Sequence, residues 1–296
     1  MILENVLEPF LNINEAQETC SNCRMNSDLR TNRNHTVLEA PAKINLWLRL
    51  TGVQRPNGYN ELRSHFAPLS LCDTLIIKPS TQFKINVYGP FAGGVPTDHR
   101  NVLHKAYKGF SKVFGHQTPI EIELTKNIPN GAGLGGGSAD AGALLRYFAQ
   151  AEKIPLPTIS EWSQCIGADV PSAVMIHSGL VEGIGEILCD PLPLPKQRVL
   201  LVKPQAPCST REVFKAWQKA GLPDTKSQND LEIAAGLVCP EIIQVLKYLR
   251  SNINPNAQIT GSGSACFALV PHGFQLTKAQ TETLSNFWVE LTDFRL

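Results

Sequence analysis

The amino-acid pattern predicts an α+β fold, because strand-like and helix-like hydrophobic spacing both occur without strict alternation along the chain. Apolar residues recur with period two over residues 44–50, which indicates a strand with one buried face. They recur at helical spacing over residues 141–149, which indicates an amphipathic helix. The 296 residues are 43% hydrophobic, so a full core is available, and the length favours two packed subdomains.

The first half of the chain predicts mostly strands. After the strand over residues 44–50, the turn Pro56-Asn57-Gly58 leads into a second apolar run over residues 69–77. Lys43 and Asn45 share the face of the first strand that we expect to point away from the core. Further strands are predicted over residues 83–88 and 120–124, with a helix over residues 101–114 between them.

A glycine-rich loop separates these strands from a clear helix. Ser138 stands where a helix N-cap is expected, and Asp140 follows in the expected first turn. Later elements are predicted from hydrophobic periodicity and from the Gly, Pro and capping residues that mark the ends of helices and strands. They are helices over 160–166, 209–220, 230–237 and 240–251, a strand over 198–203, a strand-turn unit over 258–269, and a proline-rich linker over 191–195.

Charge and composition exclude several classes of protein. Lys and Arg number 27 against 26 Asp and Glu, a net charge of +1, which argues against a nucleic-acid binder held by bulk charge. No apolar stretch has the length of a membrane-spanning helix, so we expect no membrane partner. The eight cysteines are scattered, which favours reduced thiols in a cytoplasmic protein. Cys20 and Cys23 form a lone C-x-x-C, for which two incidental thiols are favoured over a metal site.

Residues 1–36 differ in composition from the rest. They are polar, with one weak helical patch over residues 6–11, and they lack the basic start and apolar centre of a signal peptide. Two interpretations stay open: a loose N-terminal arm, or a natural start at Met25.

The glycine loop is the most informative segment. Five glycines between Gly131 and Gly137 precede a helix, and such a loop offers free backbone N–H groups and the positive end of a helix dipole. We therefore predict a phosphate-binding loop. Gly131, Gly133 and Gly136 also satisfy G-x-G-x-x-G, but no strand runs directly into the first glycine, as a dinucleotide-binding fold requires. No Lys-Ser/Thr pair closes this loop as it would a P-loop, and the H-R-D and D-F-G motifs of protein kinases are absent from the sequence.

Phosphoryl transfer also needs a proton acceptor and a cation. Asp169, between small residues and followed by Val170-Pro171, suits a positioned carboxylate, although a simple turn would also explain it. Lys43 at a strand end is by itself more often a solvated charge than a catalytic residue. Found together in the order lysine, glycine loop, aspartate, the three features favour a phosphoryl-transfer site more strongly than any one of them alone.

The chain resembles the GHMP small-molecule kinases. The matching blocks lie in family order over about residues 37–270. They are A-P-A-K-I-N-L from Ala40, N-G-Y from Asn57, P-N-G-A-G-L-G-G-G-S-A-D from Pro129, G-A-D-V-P from Gly167, E-G-I-G-E from Glu182, N-D-L from Asn229 and T-G-S-G-S-A-C-F-A-L from Thr260.

The resemblance implies a two-lobed fold with the active site in the cleft between the lobes. It divides the chain into an arm of residues 1–36, an ATP-binding lobe of 37–186 and a C-terminal lobe of 187–296. It implies ATP as co-substrate, Mg²⁺, Lys43 and Asp169 as the catalytic pair, and Lys126 near the adenine. The implied ATP-binding residues are Pro129, Asn130, Gly131, Ala132, Gly133, Leu134, Gly135, Gly136, Gly137, Ser138 and Ala139.

Within the family, the blocks are most similar to members that phosphorylate a cytidine diphosphate-linked alcohol in isoprenoid biosynthesis. Tyr59 and Phe214 match the aromatic residues that stack on the cytosine, and Asn45 and Thr210 match polar substrate contacts. The second glycine loop, residues 261–264, would face the cleft. The implied protein is cytoplasmic and a monomer or weak homodimer.

Two departures from the family pattern stand out. Asn60 follows Tyr59 where the family usually has histidine; its amide can still donate and accept at the substrate. His177-Ser178-Gly179 replaces a glycine pair, and we interpret His177 as structural.

Three alternative functions stay open. They are another GHMP kinase acting on homoserine, mevalonate or a sugar, a nucleotide-binding protein without catalysis, and a Rossmann oxidoreductase.

Overall fold

The computed structural model describes residues 29–32, 35–221 and 227–295. The strands are β1 Leu29–Asn32, β2 His35–Gln54, β3 Asn60–Pro79, β4 Lys84–Tyr88, β5 Ile120–Thr125, β6 Gly179–Glu182, β7 Ile187–Pro191, β8 Arg198–Lys203, β9 Gln258–Ile259, β10 Cys266–Val270 and β11 Trp288–Thr292. The helices are α1 Val102–Phe114, α2 Gly136–Ala151, α3 Leu156–Ser163, α4 Val170–Met175, α5 Thr210–Ala220, α6 Glu232–Val238, α7 Glu241–Asn252 and α8 Lys278–Thr283. The α+β prediction is confirmed.

The N-terminal lobe contains a seven-stranded sheet built around β2 and β3. One edge of β3 pairs with β2; the other pairs first with β6 and then with β5, and β5 pairs in parallel with β4. The helices α1 to α4 cover this sheet, with Phe110, Phe148 and Trp162 among the largest buried side chains. The helical stripe predicted over residues 141–149 is buried, as expected.

The C-terminal lobe contains a four-stranded sheet in the order β11-β8-β10-β9. Its strand β8 matches the predicted strand and is apolar on both faces. Leu200 and Val202 pack in the core under α5 to α7, while Val199 and Leu201 pack with Ile44 and Leu134 of the N-terminal lobe. The two lobes therefore share a continuous apolar core, and the cleft between them has rigid walls.

The connection between the sheets follows β7, which pairs with β6 of the larger sheet. Residues 192–197 then lead to β8 of the smaller sheet. The division into residues 1–36, 37–186 and 187–296 stays a prediction. Cys20, Cys23, Met25 and the helical patch over residues 6–11 lie outside the described residues.

Candidate active site

Lys43 and Asp169 meet in one pocket although they come from distant parts of the chain. Lys43 lies on β2, and Asp169 immediately precedes α4. Lys43 Nζ is 3.4 Å from Asp169 Oδ2, and the two side chains are 15% and 31% exposed. Asp169 makes no hydrogen bond that caps α4, so its carboxylate stays directed at the lysine. The pocket around them also includes Ser138 and His177.

Three further groups hold the Lys43 side chain. Asn45 Oδ1 accepts a hydrogen bond of 2.8 Å from Lys43 Nζ, and the ammonium lies 4.4 Å from the ring centre of Phe66. Gly135 lies so close that a Cβ at this position would be 3.1 Å from Lys43 Cγ, and its φ is +72°. The lysine is therefore packed against the glycine loop with its charge directed into the pocket.

The glycine loop has the backbone form of an anion-binding site. Gly131, Gly133 and Gly135 all have positive φ, and α2 begins at Gly136. The N–H groups of the first helical turn have no partner within the helix, and no side chain among the described residues caps them. These free donors and the helix dipole suit a phosphate.

Two predictions about the start of α2 are wrong. The N-cap is Gly135, and Ser138 lies inside the first turn, because the left-handed conformation at Gly135 lets the chain enter the helix earlier. Ser138 consequently lines the pocket. Asp140 is not in the first turn either; it is 3% exposed and ion-paired.

A buried charge cluster of Asp73, Lys126 and Asp140 lies beneath the loop. Lys126 Nζ contacts Asp73 Oδ2 and donates to Asp140 Oδ2 at 2.7 Å. Asp73 Oδ1 also accepts from the backbone N–H groups of Asn127 and Ile128, at 2.6 and 2.8 Å. The cluster therefore fixes the chain entering the loop. Lys126, which the resemblance places near the adenine, is only 2% exposed, so its ammonium is committed to these carboxylates.

The pKa values of this cluster follow from its burial. Burial raises the pKa of Asp140 well above its ordinary value, and Lys126 offsets this only in part. Burial acts to lower the pKa of Lys126, but the charges of Asp140 and Asp73 outweigh it and leave that pKa raised. Lys126 is accordingly a permanent cation under the loop.

The second glycine loop, residues 261–264, packs directly against the first. A Cβ at Gly133 would lie 2.2 Å from Thr260 O, so only glycine fits there. Asn229 Nδ2 donates to Gly261 O at 2.9 Å and holds the second loop from its other side. The C-terminal lobe therefore packs over the first glycine loop.

Asn45 is buried, contrary to the expectation that its strand face points away from the core. It is 1% exposed, because Thr260 of the C-terminal lobe covers that face of β2. Its backbone N–H donates to Thr260 Oγ1 at 3.0 Å and its Nδ2 donates to Ser64 Oγ at 2.8 Å. The polar groups of Asn45, which were predicted to contact the substrate, are thus engaged in hydrogen bonds within the protein.

The other predicted substrate residues lie where β3 begins and α5 passes. Tyr59 is 57% exposed. The next residue, Asn60, accepts a hydrogen bond of 3.3 Å from Gln218 Nε2, and Phe214 lies one helical turn before Gln218 on α5. The two predicted aromatic residues therefore lie on adjoining elements. Thr210 Oγ1 is 2.8 Å from Ser262 Oγ, which joins the start of α5 to the second glycine loop.

Two ion pairs of Arg55 hold the turn that carries Tyr59. Arg55 binds Glu61 at 3.0 Å and Glu186 at 2.6 Å, and hydrogen bonds to these two carboxylates raise the arginine pKa. Gly185, in the same block as Glu186, lies so close to Asp169 that a Cβ would be 3.0 Å from Asp169 Oδ1. The E-G-I-G-E block thus connects the turn with the Asp169 carboxylate.

His177 has the structural contact expected of it. Its Nε2 donates to Leu180 O at 3.1 Å. Burial lowers the pKa of His177, and burial together with the charge of His177 lowers that of His65. Burial thus favours the neutral form of both rings, of which His177 lines the pocket.

Sequence reasoning assigned no role to Thr260, Ser64, Asp73, Arg55 or Glu186. Thr260 and Glu186 lie in blocks that match the family. The sequence therefore marked these segments, but it did not show which residues the two side chains contact. Asp73, Ser64 and Arg55 carried no local pattern, because their role depends on contacts between distant segments.

Comparison with known families agrees with this geometry. The model of the GHMP kinases N terminal domain matches residues 101–176, and that of the GHMP kinases C terminal domain matches residues 210–287. The first match contains the glycine loop and Asp169, and the second contains α5 and the second loop.

Several curated proteins are similar over most of their length. A 4-diphosphocytidyl-2-C-methyl-D-erythritol kinase of Rhodopseudomonas palustris is 34% identical over 261 residues, covering 78% of this chain and 87% of that protein. A protein of the same name from Dinoroseobacter shibae is 35% identical over 281 residues, covering 86% and 94%.

Solved structures show the same architecture. A crystal structure of 4-(cytidine 5'-diphospho)-2C-methyl-D-erythritol kinase superposes with a TM-score of 0.69 at 28% identity, covering 87% of this chain and 99% of that one. A homoserine kinase of Cytophaga hutchinsonii has a TM-score of 0.62 at 18% identity, covering 90% and 97%, which shows a shared fold alone.

Proposed function

The chain belongs to the GHMP kinase family, and from this premise we propose that it transfers a phosphoryl group from ATP to the 2-hydroxyl of 4-diphosphocytidyl-2-C-methyl-D-erythritol. This reaction supplies the non-mevalonate pathway of isoprenoid precursors. The observation that carries the proposal is the pocket in which Lys43 and Asp169 meet beside the glycine loop.

Asp169 is the proton acceptor in this proposal. The substrate hydroxyl oxygen attacks the γ-phosphorus of ATP, its proton passes to the Asp169 carboxylate, and the bond from the γ-phosphorus to the bridging oxygen breaks to release ADP. Lys43, 3.4 Å from Asp169, orients the carboxylate and offers positive charge to the transferred group. Asn45 and the Phe66 ring keep the ammonium in place.

The glycine loop binds the ATP phosphates through its backbone. The free N–H groups at the start of α2 and the left-handed glycines before it form the cradle. The buried cluster of Asp73, Lys126 and Asp140 fixes the chain where it enters the loop. A preorganised cradle of this kind needs no reorganisation as charge develops on the phosphates.

The pocket residues fit a Mg²⁺ ion carried by ATP. Among the residues that the structure describes, no three His, Cys, Asp or Glu side chains converge on a metal position. Ser138 and Asp169 supply one hydroxyl and one carboxylate to the pocket, and Mg²⁺ in kinases takes most of its ligands from phosphates and water. The ion would neutralise charge on the phosphates, and Ser138 would hold it.

The substrate cytidine lies, in this proposal, between Tyr59 and Phe214, with Asn60 and Thr210 as polar contacts. Asn60 and Phe66 are six residues apart on β3, a separation of about 20 Å. A base joined through a diphosphate to the reacting alcohol can span such a distance. Homoserine or mevalonate cannot occupy both ends, so the distance favours the cytidine-linked substrate.

We also propose a cytoplasmic monomer or weak homodimer. Cys208, Cys239 and Cys266 are buried thiols, which suits a reducing compartment. No helix in the described ranges combines the length and hydropathy needed to cross a bilayer.

The proposal is tested by measuring ADP release with ATP, Mg²⁺ and the diphosphocytidyl substrate. We expect turnover with this substrate, weak turnover with its uridine analogue, and none above background with homoserine or mevalonate. Equal rates with the cytidine and uridine compounds would remove the cytosine assignment. Absence of ADP release with the cytidine compound, or preference for one of the small alcohols, would overturn the proposed function.

A further inference from the structure

Thr260 is a buried side chain with contacts to both halves of the active site. It is 0% exposed and immediately precedes the second glycine loop. Its Oγ1 accepts from the backbone N–H of Asn45 at 3.0 Å and lies 3.3 Å from both Asn45 Oδ1 and Gly133 O. One hydroxyl of the C-terminal lobe thus touches the strand of Lys43 and the phosphate-binding loop.

The hydrogen bonds around Asn45 determine which way its amide points. Ser64 Oγ donates its single proton to Trp47 O at 2.6 Å, so toward Asn45 it can only accept. The NH₂ end of Asn45 must therefore face Ser64, and Oδ1 faces Lys43 Nζ at 2.8 Å and Thr260. The Asn45 amide presents an acceptor to Lys43 because Ser64, which can only accept, leaves it no other orientation.

Thr260 also holds the glycine loop against the second loop. Its proton is available to Gly133 O, and the neighbouring Ala265 N–H donates to Ala132 O at 3.1 Å. Gly133 has no Cβ, which is what allows this approach. Loss of the hydroxyl would free both the Asn45 backbone N–H and the Gly133 carbonyl in a site without solvent.

We propose that Thr260 is a positioning residue that couples the second glycine loop to Lys43, through Asn45, and to the phosphate cradle, through Gly133. This role rests on the proposed function, since it concerns the geometry of phosphoryl transfer. Thr260 does not touch the reacting atoms. It fixes the position of Lys43 relative to the first glycine loop. Small displacements of such groups lower the turnover rate more than they weaken substrate binding.

The test compares Thr260→Val, Thr260→Ser and Thr292→Val. Valine keeps the shape and removes the hydroxyl, and serine restores the hydroxyl. Thr292 is the matched control. It is 5% exposed, and its Oγ1 also accepts a backbone N–H, that of Leu71, at 3.0 Å. It lies outside the pocket that holds Lys43 and Asp169. We expect Thr260→Val to lower kcat by roughly 10- to 100-fold with KM values within about threefold. We expect Thr260→Ser to recover most of kcat, and Thr292→Val to keep it.

A second measurement is independent of the substrate. Amide hydrogen exchange at Asn45 should accelerate in Thr260→Val, remain slow in Thr260→Ser, and be unchanged in Thr292→Val. Unchanged exchange at Asn45 in the valine variant, or unchanged kcat in an active enzyme, would overturn the positioning role. An inactive wild-type enzyme would instead overturn the proposed function, and the exchange result would still decide whether Thr260 holds Asn45.

Discussion

At the scale of single residues, Lys43 and Asp169 are polar side chains far apart in the sequence, and only the fold brings them together. Taken alone, each has an explanation without catalysis: Lys43 as a solvated charge and Asp169 as part of a simple turn. Asn45, Phe66 and Gly135 give Lys43 its orientation, and the start of α4 presents Asp169 to it. The resemblance identified both residues, and the structure adds the contacts that position them.

Substitution of either residue should stop turnover without unfolding the protein. We expect Lys43→Met and Asp169→Asn each to lower kcat by roughly 10²- to 10⁴-fold, because each removes a charge needed in the transition state. ADP release measures the loss, and thermal unfolding followed by circular dichroism serves as the control. Two variants that retain wild-type kcat would contradict the assigned roles.

His177 makes stability depend on pH. Burial lowers its pKa below the ordinary value of 6.5, as it does for His65. The unfolded chain therefore binds more protons than the folded one as the pH falls below about 6.5, and the free energy of unfolding must decrease there.

We expect His177→Gln, which retains a donor for Leu180 O, to flatten this decrease. Urea unfolding at pH 7.5, 6.5 and 5.5 measures it, with His272→Gln, at an exposed position, as the control. An identical acid dependence in His177→Gln and the wild type would show that the histidine is not a source of the effect.

At the scale of elements, periodicity located most helices and strands but not all of their ends. The strand over residues 198–203 and the buried stripe of α2 are confirmed. The helix predicted over residues 160–166 is instead α3, Leu156–Ser163, because Pro157 occupies a first-turn position, where a missing N–H costs nothing. Helix ends depend on such local backbone choices, which hydrophobic spacing does not report.

The contact between the two glycine loops gives a matched pair of variants. Gly133 and Gly94 have nearly equal φ values of +76° and +78°, but a Cβ would clash with Thr260 O at Gly133 and meets nothing at Gly94. Gly94→Ala should cost only the conformational penalty of about 1–2 kcal/mol and leave kinetics unchanged.

Gly133→Ala should cost more free energy of unfolding and raise KM for ATP, because the loops must separate. Urea unfolding and ATP-dependent rates measure the two effects. Equal effects of the two alanines would mean that the close approach of the loops contributes nothing.

At the scale of the whole molecule, the lobes are joined by an apolar core and by a few polar links. Asp230 is 3% exposed; its Oδ1 accepts from Arg49 Nη1 and its Oδ2 from the backbone N–H of Leu50, both at 2.8 Å. These bonds attach the N-D-L block of the C-terminal half to β2. The site lies along this junction, so its geometry depends on the link.

Asp230→Ala should lower the free energy of unfolding by about 1–3 kcal/mol, because it leaves the buried Leu50 N–H without an acceptor. Asp98 is the control: Arg100 lowers its pKa to about 2, but the pair is exposed, so Asp98→Ala should change stability little. Urea denaturation compares the two. A loss at Asp98 equal to that at Asp230 would contradict the importance of the interlobe link.

The sequence by itself determined the family and the α+β class, and it predicted a phosphate-binding loop. These follow from the period of apolar residues and from glycines whose conformations few other residues can adopt. Family blocks identified Lys43 and Asp169 in the same way, because their neighbours along the chain carry the signal.

Only the tertiary structure decided that Asn45 is buried between Lys43 and Thr260, that Lys126 is committed to Asp73 and Asp140, and that Thr260 joins the two loops. Each of these roles is a contact between segments far apart in the chain. Such contacts depend on distances of a few ångströms set by the packing of two lobes, and no spacing within one segment encodes them.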